Sequence, residues 1–171
     1  GISDPGSVIV RKCIENNIPF EVLPGATAIT TALVYSGLDT TKFIFRGFIP
    51  RETKERKILA EEIKDKKETL IFYESPHRLI DTLDYLKQTL GDRNIALCRE
   101  LTKKQEEIIR GHVSEVLGII DELKGEMVIV VQGQQFIDVE EIVYEQSIQE
   151  AVDEYIEKGM STKDAIKEIA K

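Results

Sequence analysis

Thr69-Leu70-Ile71-Phe72-Tyr73-Glu74-Ser75-Pro76-His77-Arg78 opens the run TLIFYESPHRLIDTLDYLKQTLGDRNIALCR over residues 69–99. Residues 69–73 are a run of β-forming side chains of the kind buried on both faces of a sheet. Pro76 can start a helix but cannot sit inside a central strand. After it, Leu79, Leu83 and Leu86 recur at helical spacing up to Leu90, and residues 95–99 are apolar and extended again. The stretch therefore predicts strand, helix, strand. Working outward, residues 106–111 read as extended, 113–123 as a helix and Met127-Val128-Ile129-Val130-Val131 as the clearest strand of the chain. Upstream, 53–67 carry Ile58, Leu59 and Ile63 on one helical face, 43–49 read as a strand, and 26–36 read as a small-residue helix stopped by Gly37. Residues 20–23 read as a short strand ended by Pro24-Gly25. A first amphipathic helix follows Asp4-Pro5-Gly6, with Asp4 accepting first-turn N–H groups and Asn16-Asn17 ending it. Such alternation predicts an α/β fold, a central sheet flanked by helices.

The chain has 171 residues, 42% apolar and 32% charged, with 11 Gly and 5 Pro. That balance excludes a disordered tail and a fibre. No apolar run approaches the roughly 18 residues of a membrane helix. Cys13 and Cys98 are the only cysteines, and two thiols with two His give neither a disulfide framework nor a four-ligand zinc site. A reducing compartment is expected and no metal. The chain lacks an initiator Met and stops within a helical pattern beginning at Ser161, which predicts a fragment of a longer protein.

Net charge is −8, against general nucleic-acid binding, but the charge is unevenly spread. Residues 42–57 hold six bases (Lys42, Arg46, Arg51, Lys54, Arg56, Lys57) and two acids, whereas 138–157 hold eight acids and no base. The first is a candidate anion-binding strip, or simply a solvated helix face; the second reads as an acidic helix.

Ligands of open α/β sheets sit beyond the carboxyl ends of strands. Pro24-Gly25-Ala26-Thr27-Ala28 follows one predicted strand and would let backbone N–H groups approach a ligand, though it also serves an ordinary strand-to-helix turn. Glu74-Ser75-Pro76-His77-Arg78 sets acid, hydroxyl, imidazole and guanidinium at a second strand end, where Ser75 and Pro76 alone are explained as helix cap and start. Arg99-Glu100-Leu101-Thr102-Lys103-Lys104 clusters acid, hydroxyl and ammonium at a third, and Lys124-Gly125-Glu126 precedes the last strand. No P-loop, GxSxG elbow or GxGxxG fingerprint occurs, which disfavours nucleotide hydrolysis and serine hydrolase chemistry.

Taken in order, Ile2-Ser3-Asp4-Pro5-Gly6, Leu23-Pro24-Gly25, Gly47-Phe48-Ile49-Pro50-Arg51, Leu70 through Arg78, Arg99-Glu100-Leu101-Thr102-Lys103 and Gly125-Glu126-Met127 resemble the ribosomal RNA small subunit methyltransferase I family of the tetrapyrrole (corrin/porphyrin) methylase superfamily. The resemblance covers about residues 1–133. It implies an S-adenosylmethionine-dependent, cytoplasmic, typically homodimeric enzyme that methylates the ribose 2′-hydroxyl of a cytidine in the decoding region of 16S rRNA. It also implies two α/β domains with the cofactor between them. On this resemblance the family's first domain, with its glycine-rich loop, is expected to lie ahead of Ile2 and outside this chain. Residues 1–37 would then be its remnant, 38–135 the second domain with a mixed sheet, and 136–171 a small, acidic, helical extension.

The same resemblance implies cofactor contacts at Gly25, Ala26, Thr27, Ala28, Phe72, Tyr73, Gly125, Glu126 and Met127. Methyl transfer to a hydroxyl needs an aligned acceptor and a group for its proton. Glu100 ranks first for that role and Glu74 second, with Lys103 and Arg78 holding phosphate or ribose oxygens. Arg51, Lys54, Arg56 and Lys57 would grip the RNA backbone, and Phe48 and Tyr73 are stacking partners for a splayed cytidine. Two alternatives stand beside this reading: a tetrapyrrole C-methyltransferase using the same cleft, and a binding or dimerisation domain without catalysis. Alone, the fragment is expected to be nearly inactive.

Overall fold

The computed structural model describes residues 2–120 and 123–135, together with 153, 156 and 159–163. The chain divides into two units, residues 1–134 and 135–171. In the second, Asp153, Ile156, Thr162 and Lys163 are helical, and Gly159 makes a turn at φ 87°. The acidic helix expected over 140–157 otherwise lies outside the described residues, as does the rest of the short helix capped by Ser161.

The first unit runs α1 (Gly6–Glu15), α2 (Ala28–Ser36), β1 (Phe43–Phe48), α3 (Thr53–Ile63), β2 (Thr69–Glu74), a 3₁₀ turn (Pro76–Arg78), α4 (Leu79–Leu90), β3 (Asn94–Arg99), β4 (Glu107–His112), α5 (Val113–Ile119) and β5 (Met127–Val131). Among the described residues the strands form one sheet in the order β1-β2-β5-β3-β4. The β1–β2 pair is parallel and every other pair antiparallel, so the sheet is mixed.

Period-two alternation in the central strands divides the core. Leu70, Phe72, Ile95, Leu97, Ile129 and Val131 face α3, α4 and α5, meeting Leu59, Ile63, Leu83, Leu86, Val113 and Val116. Ile71, Ala96, Cys98, Val128 and Val130 face α2 through Ile29, Ala32 and Leu33. Helices thus cover both faces of the sheet, and β2, β5 and β3 are buried from both sides. Burial holds the Cys98 thiol protonated, its pKa pushed up to about 11.

Local chemistry sets the element ends. Thr27 caps α2 by accepting the Thr30 N–H, and Gly37 ends it in the left-handed conformation at φ 73°. In α1, Asp4 Oδ1 accepts the Gly6 N–H, and Asn16 and Asn17 close the last turn. α3 stops at Ile63 rather than Lys67, because residues 64–67 are all charged and bring nothing to the core. α5 stops at Ile119 with Ile120 already extended, shorter than the expected 113–123.

Residues 20–23 correct the sequence reading. They do not form a strand, and Phe20, Val22 and Leu23 are exposed. Apolar composition favours a strand only where a neighbour accepts its ladder hydrogen bonds, and no described segment pairs with residues 18–27. Among the described residues no helix is long and apolar enough to cross a membrane.

Candidate functional site

Strand directions decide which loops meet. β1, β2 and β3 run one way and β4 and β5 the other, so the carboxyl ends of β1–β3 and the amino ends of β4 and β5 share one edge of the sheet. Glu74, Met127, Arg99 and Glu107 occupy one cross-strand row there, with Phe48 beside Tyr73. Glu74, Glu100 and Glu126, far apart in sequence, thereby come to one rim.

A bulge shapes the β1 corner. The register slips between Phe45 and Gly47, where φ is +69°. Residues three apart normally point to opposite faces; the extra residue returns Phe48 to the face of Phe45. Both rings then meet Tyr73 edge-on, at centroid distances of 4.9 and 5.7 Å. Burial raises the Tyr73 pKa, so its hydroxyl stays protonated.

A cavity of about 300 Å³ opens at this corner, lined by Ser3, Ala28, Phe48, Tyr73, Glu74, Glu126, Met127 and Val128. It gathers the expected cofactor contacts Ala28, Tyr73, Glu126 and Met127. Gly25 and Ala26 are exposed in the preceding coil and Thr27 is spent on the α2 cap, so these three do not line it. Phe72 is fully buried on the opposite face. Ser3 and Val128 were not anticipated. Gly125 instead lines a second cavity of about 640 Å³, together with Pro76, His77, Leu79, Ile80, Ile120, Leu123 and Lys124.

Glu74 is buried and fully engaged. Oε1 accepts the Ser75 N–H at 2.7 Å and the Ser75 hydroxyl at 3.3 Å, and Oε2 accepts the Thr82 hydroxyl at 2.6 Å. Arg78 stands 3.6 Å from Oε1 and donates to the Ile49 carbonyl at 2.7 Å, tying the β1–α3 loop to the end of β2. Thr82 is the partner the sequence reading missed; its signal is a polar residue inside the apolar stripe of Leu79, Leu83 and Leu86.

Glu100 belongs to a different arrangement. Its Oε1 accepts the Glu126 N–H at 2.8 Å and the Lys103 ammonium at 3.0 Å, while Lys103 also holds Glu126 Oε2 at 2.9 Å. A backbone bond from Glu100 N–H to the Glu126 carbonyl closes the loop-to-loop clamp at 2.9 Å. The Glu126 N–H first, and then Lys103, hold the Glu100 carboxyl below its ordinary range. Glu126 first, and then Glu100, raise Lys103. Gly125 makes the clamp possible: φ is +100°, and a Cβ there would stand 2.4 Å from Glu100 Oε1.

The basic strip divides. Arg56 donates to the Pro50 carbonyl at 2.9 Å, pairs with Asp81 and lies over the Tyr85 ring. That guanidinium braces α3 against α4. Arg51, Lys54 and Lys57 are exposed and make no ion pair among the described residues.

Comparison with known proteins agrees with this architecture. The chain is 47% identical to ribosomal RNA small subunit methyltransferase I of Bacillus subtilis and 46% to that of Halalkalibacterium halodurans, each match covering 99% of this chain and 60% of the relative. It thus spans about three-fifths of the length of these curated relatives. The fold matches uroporphyrin-III-C-methyltransferase from Thermus thermophilus with a TM-score of 0.57, at 21% identity over 77% of this chain and 59% of that one. Residues 1–117, more than half of the chain, match the sequence model of the Tetrapyrrole (Corrin/Porphyrin) Methylases, and the chain belongs to that family.

Proposed function

We propose that the protein bearing this chain is an S-adenosylmethionine-dependent methyltransferase that modifies the ribose 2′-hydroxyl of a cytidine in the decoding region of small-subunit rRNA. It works as a cytoplasmic homodimer on the rRNA or the assembled small subunit. The relatives' names support small-subunit rRNA as the substrate, and the cytidine 2′-hydroxyl follows from the family resemblance alone. The observation that carries the cofactor reading is the meeting of Ala28, Tyr73–Glu74 and Glu126–Met127 around one cavity. Its donor set fits: Ala28, Val128 and Met127 give apolar wall for an adenosine, and the Glu74 and Glu126 carboxylates give negative charge for a sulfonium. When bound, S-adenosylmethionine supplies an electrophilic methyl group.

The chain's own residues do the rest. Both hydrogen bonds of the Glu100 side chain fall on Oε1, and Oε2 takes the hydroxyl proton. A carboxylate held this firmly ionised is a weak base, but it suffices where the proton leaves as the new C–O bond forms. Glu74 is the weaker candidate because both its oxygens are occupied. Arg51, Lys54 and Lys57 hold backbone phosphates, and Lys103 and Arg78 keep the strand-end loops in place. The target base stacks against Tyr73 and Phe48.

Two variants of the full-length protein separate the halves of this reading. Ala28→Phe fills the cavity and should abolish S-adenosylmethionine binding in equilibrium dialysis while rRNA still binds. Reversing Arg51, Lys54 and Lys57 to Glu should weaken rRNA binding and reduce its salt slope by about 2, with cofactor binding unchanged. Retained cofactor binding in Ala28→Phe, or retained rRNA binding in the triple variant, refutes the corresponding half.

A further inference from the structure

A groove of about 200 Å³ runs between the outer edge of β1 and α3, its walls formed by Phe48, Pro50, Ile58 and Leu59 with Glu55 and the Arg46–Glu62 pair at its margin. We propose that this groove is a nucleobase subsite that seats one unpaired base, of the amino-bearing kind, from the nucleotide next to the one at the cavity. The proposal rests on the RNA-methyltransferase reading above.

Four observations converge on it. First, Phe48 lines both the groove and the cavity, so one ring separates the two spaces. Adjacent nucleotides of a single strand would sit on either side of it. Second, the walls are apolar yet open to solvent: Phe48 is 57% and Ile58 53% exposed. Single-stranded RNA is read by stacking splayed bases on such surfaces. Third, the charge is arranged for a nucleotide. Within the groove Arg46 is paired with Glu62, so among the described residues that line it Glu55 is left as the unpaired charge. The unpaired cations lie just outside it: Lys54 stands one turn before Ile58 on α3, with Arg51 ahead of the helix and Lys57 beside it. A phosphate chain tracks the cations while a base turns into the groove. Fourth, Glu55 has no hydrogen bond or ion pair among the described residues. A carboxylate accepts N–H and repels carbonyl oxygen, so it favours cytosine, adenine or guanine over uracil.

Stacking and phosphate contacts respond differently to salt, which makes the test specific. Fluorescence anisotropy of labelled short oligo(C) and oligo(U) is measured on the full-length protein across a salt series. Phe48→Ala should weaken oligo(C) binding about tenfold, as loss of one stacked base does, and Phe48→Tyr should restore it. Ile58→Ser should weaken it in the same sense. Neither should change the salt slope, because no phosphate contact is lost. Glu55→Gln should narrow the preference for oligo(C) over oligo(U). Unaltered oligo(C) affinity in Phe48→Ala and Ile58→Ser would overturn the proposal. So would a shift of sedimentation by Ile58→Ser with RNA affinity intact, which would make the groove a contact between two copies. If the Arg51/Lys54/Lys57 reversal also left RNA binding intact, the RNA reading itself would fall; if it weakened binding while the groove variants did not, only the groove assignment would.

Discussion

A single carbon at Gly125 would collide with Glu100 Oε1, Cδ and Cγ, all within 2.5 Å. Relief requires the Glu100 side chain to swing away and give up its hydrogen bond from the Glu126 N–H, and the positive φ adds strain. Gly125→Ala should therefore break the Glu100–Glu126 bond and raise the dissociation constant for S-adenosylmethionine severalfold, while far-ultraviolet circular dichroism stays the same. An unchanged affinity would separate the clamp from the cavity. The clamp also has a pH signature. Glu100 is depressed, so its contribution is full above the ordinary carboxylate pKa of about 4.3 and disappears as pH falls through its lower folded value. Lys103 is raised, so its contribution is full below about 10.4 and disappears as pH rises through its higher folded value. The clamp is thus intact between those limits. Melting temperature should fall on acidification below pH 4, and less steeply in Glu100→Gln than in the wild type. Equal slopes would deny the carboxylate this role.

At the scale of elements, α4 offers the plainest contrast. Leu83 is fully buried against the sheet, whereas Ile80 on the other side is 57% exposed. Leu83→Ala should cost about 2–5 kcal/mol in denaturant unfolding, from lost transfer energy and a residual cavity; Ile80→Ala should stay within about 0.5 kcal/mol. Comparable losses would mean that α4 packs differently. The elements were largely legible because their signals are local. β5 has the bounds its unbroken run of β-formers suggests, and Gly37 marks the end of α2, whereas the start lies at Ala28 rather than Ala26 because Thr27 serves as the cap. Failures came where the deciding partner is distant. Residues 20–23 look like a strand and lack a neighbour to pair with. The partners of Arg78 and Arg56, the Ile49 and Pro50 carbonyls and Asp81, are likewise distant in sequence and could not be read locally. Strand-end placement of Glu74, Glu100 and Glu126 could be read from the alternation of elements. That Glu74 would be locked by Thr82 could not, since it depends on how α4 docks.

The molecule as a whole is acidic, with a net charge of −8, and an acidic body repels a polyanion except where cations are concentrated. Three exposed cations around the start of α3 stand near an exposed aromatic ring, at the sheet edge that holds the cavity. A porphyrinoid would need a compact anion pocket; an extended track suits a strand of RNA. Methyl transfer distinguishes the two most directly. The full-length protein would be incubated with S-adenosylmethionine labelled in its methyl group and offered unmethylated small ribosomal subunits or, separately, a reduced porphyrinogen. The account predicts label on a cytidine ribose of the rRNA and none on the porphyrinogen. Label on the porphyrinogen alone would contradict it, leaving the family assignment and removing the substrate.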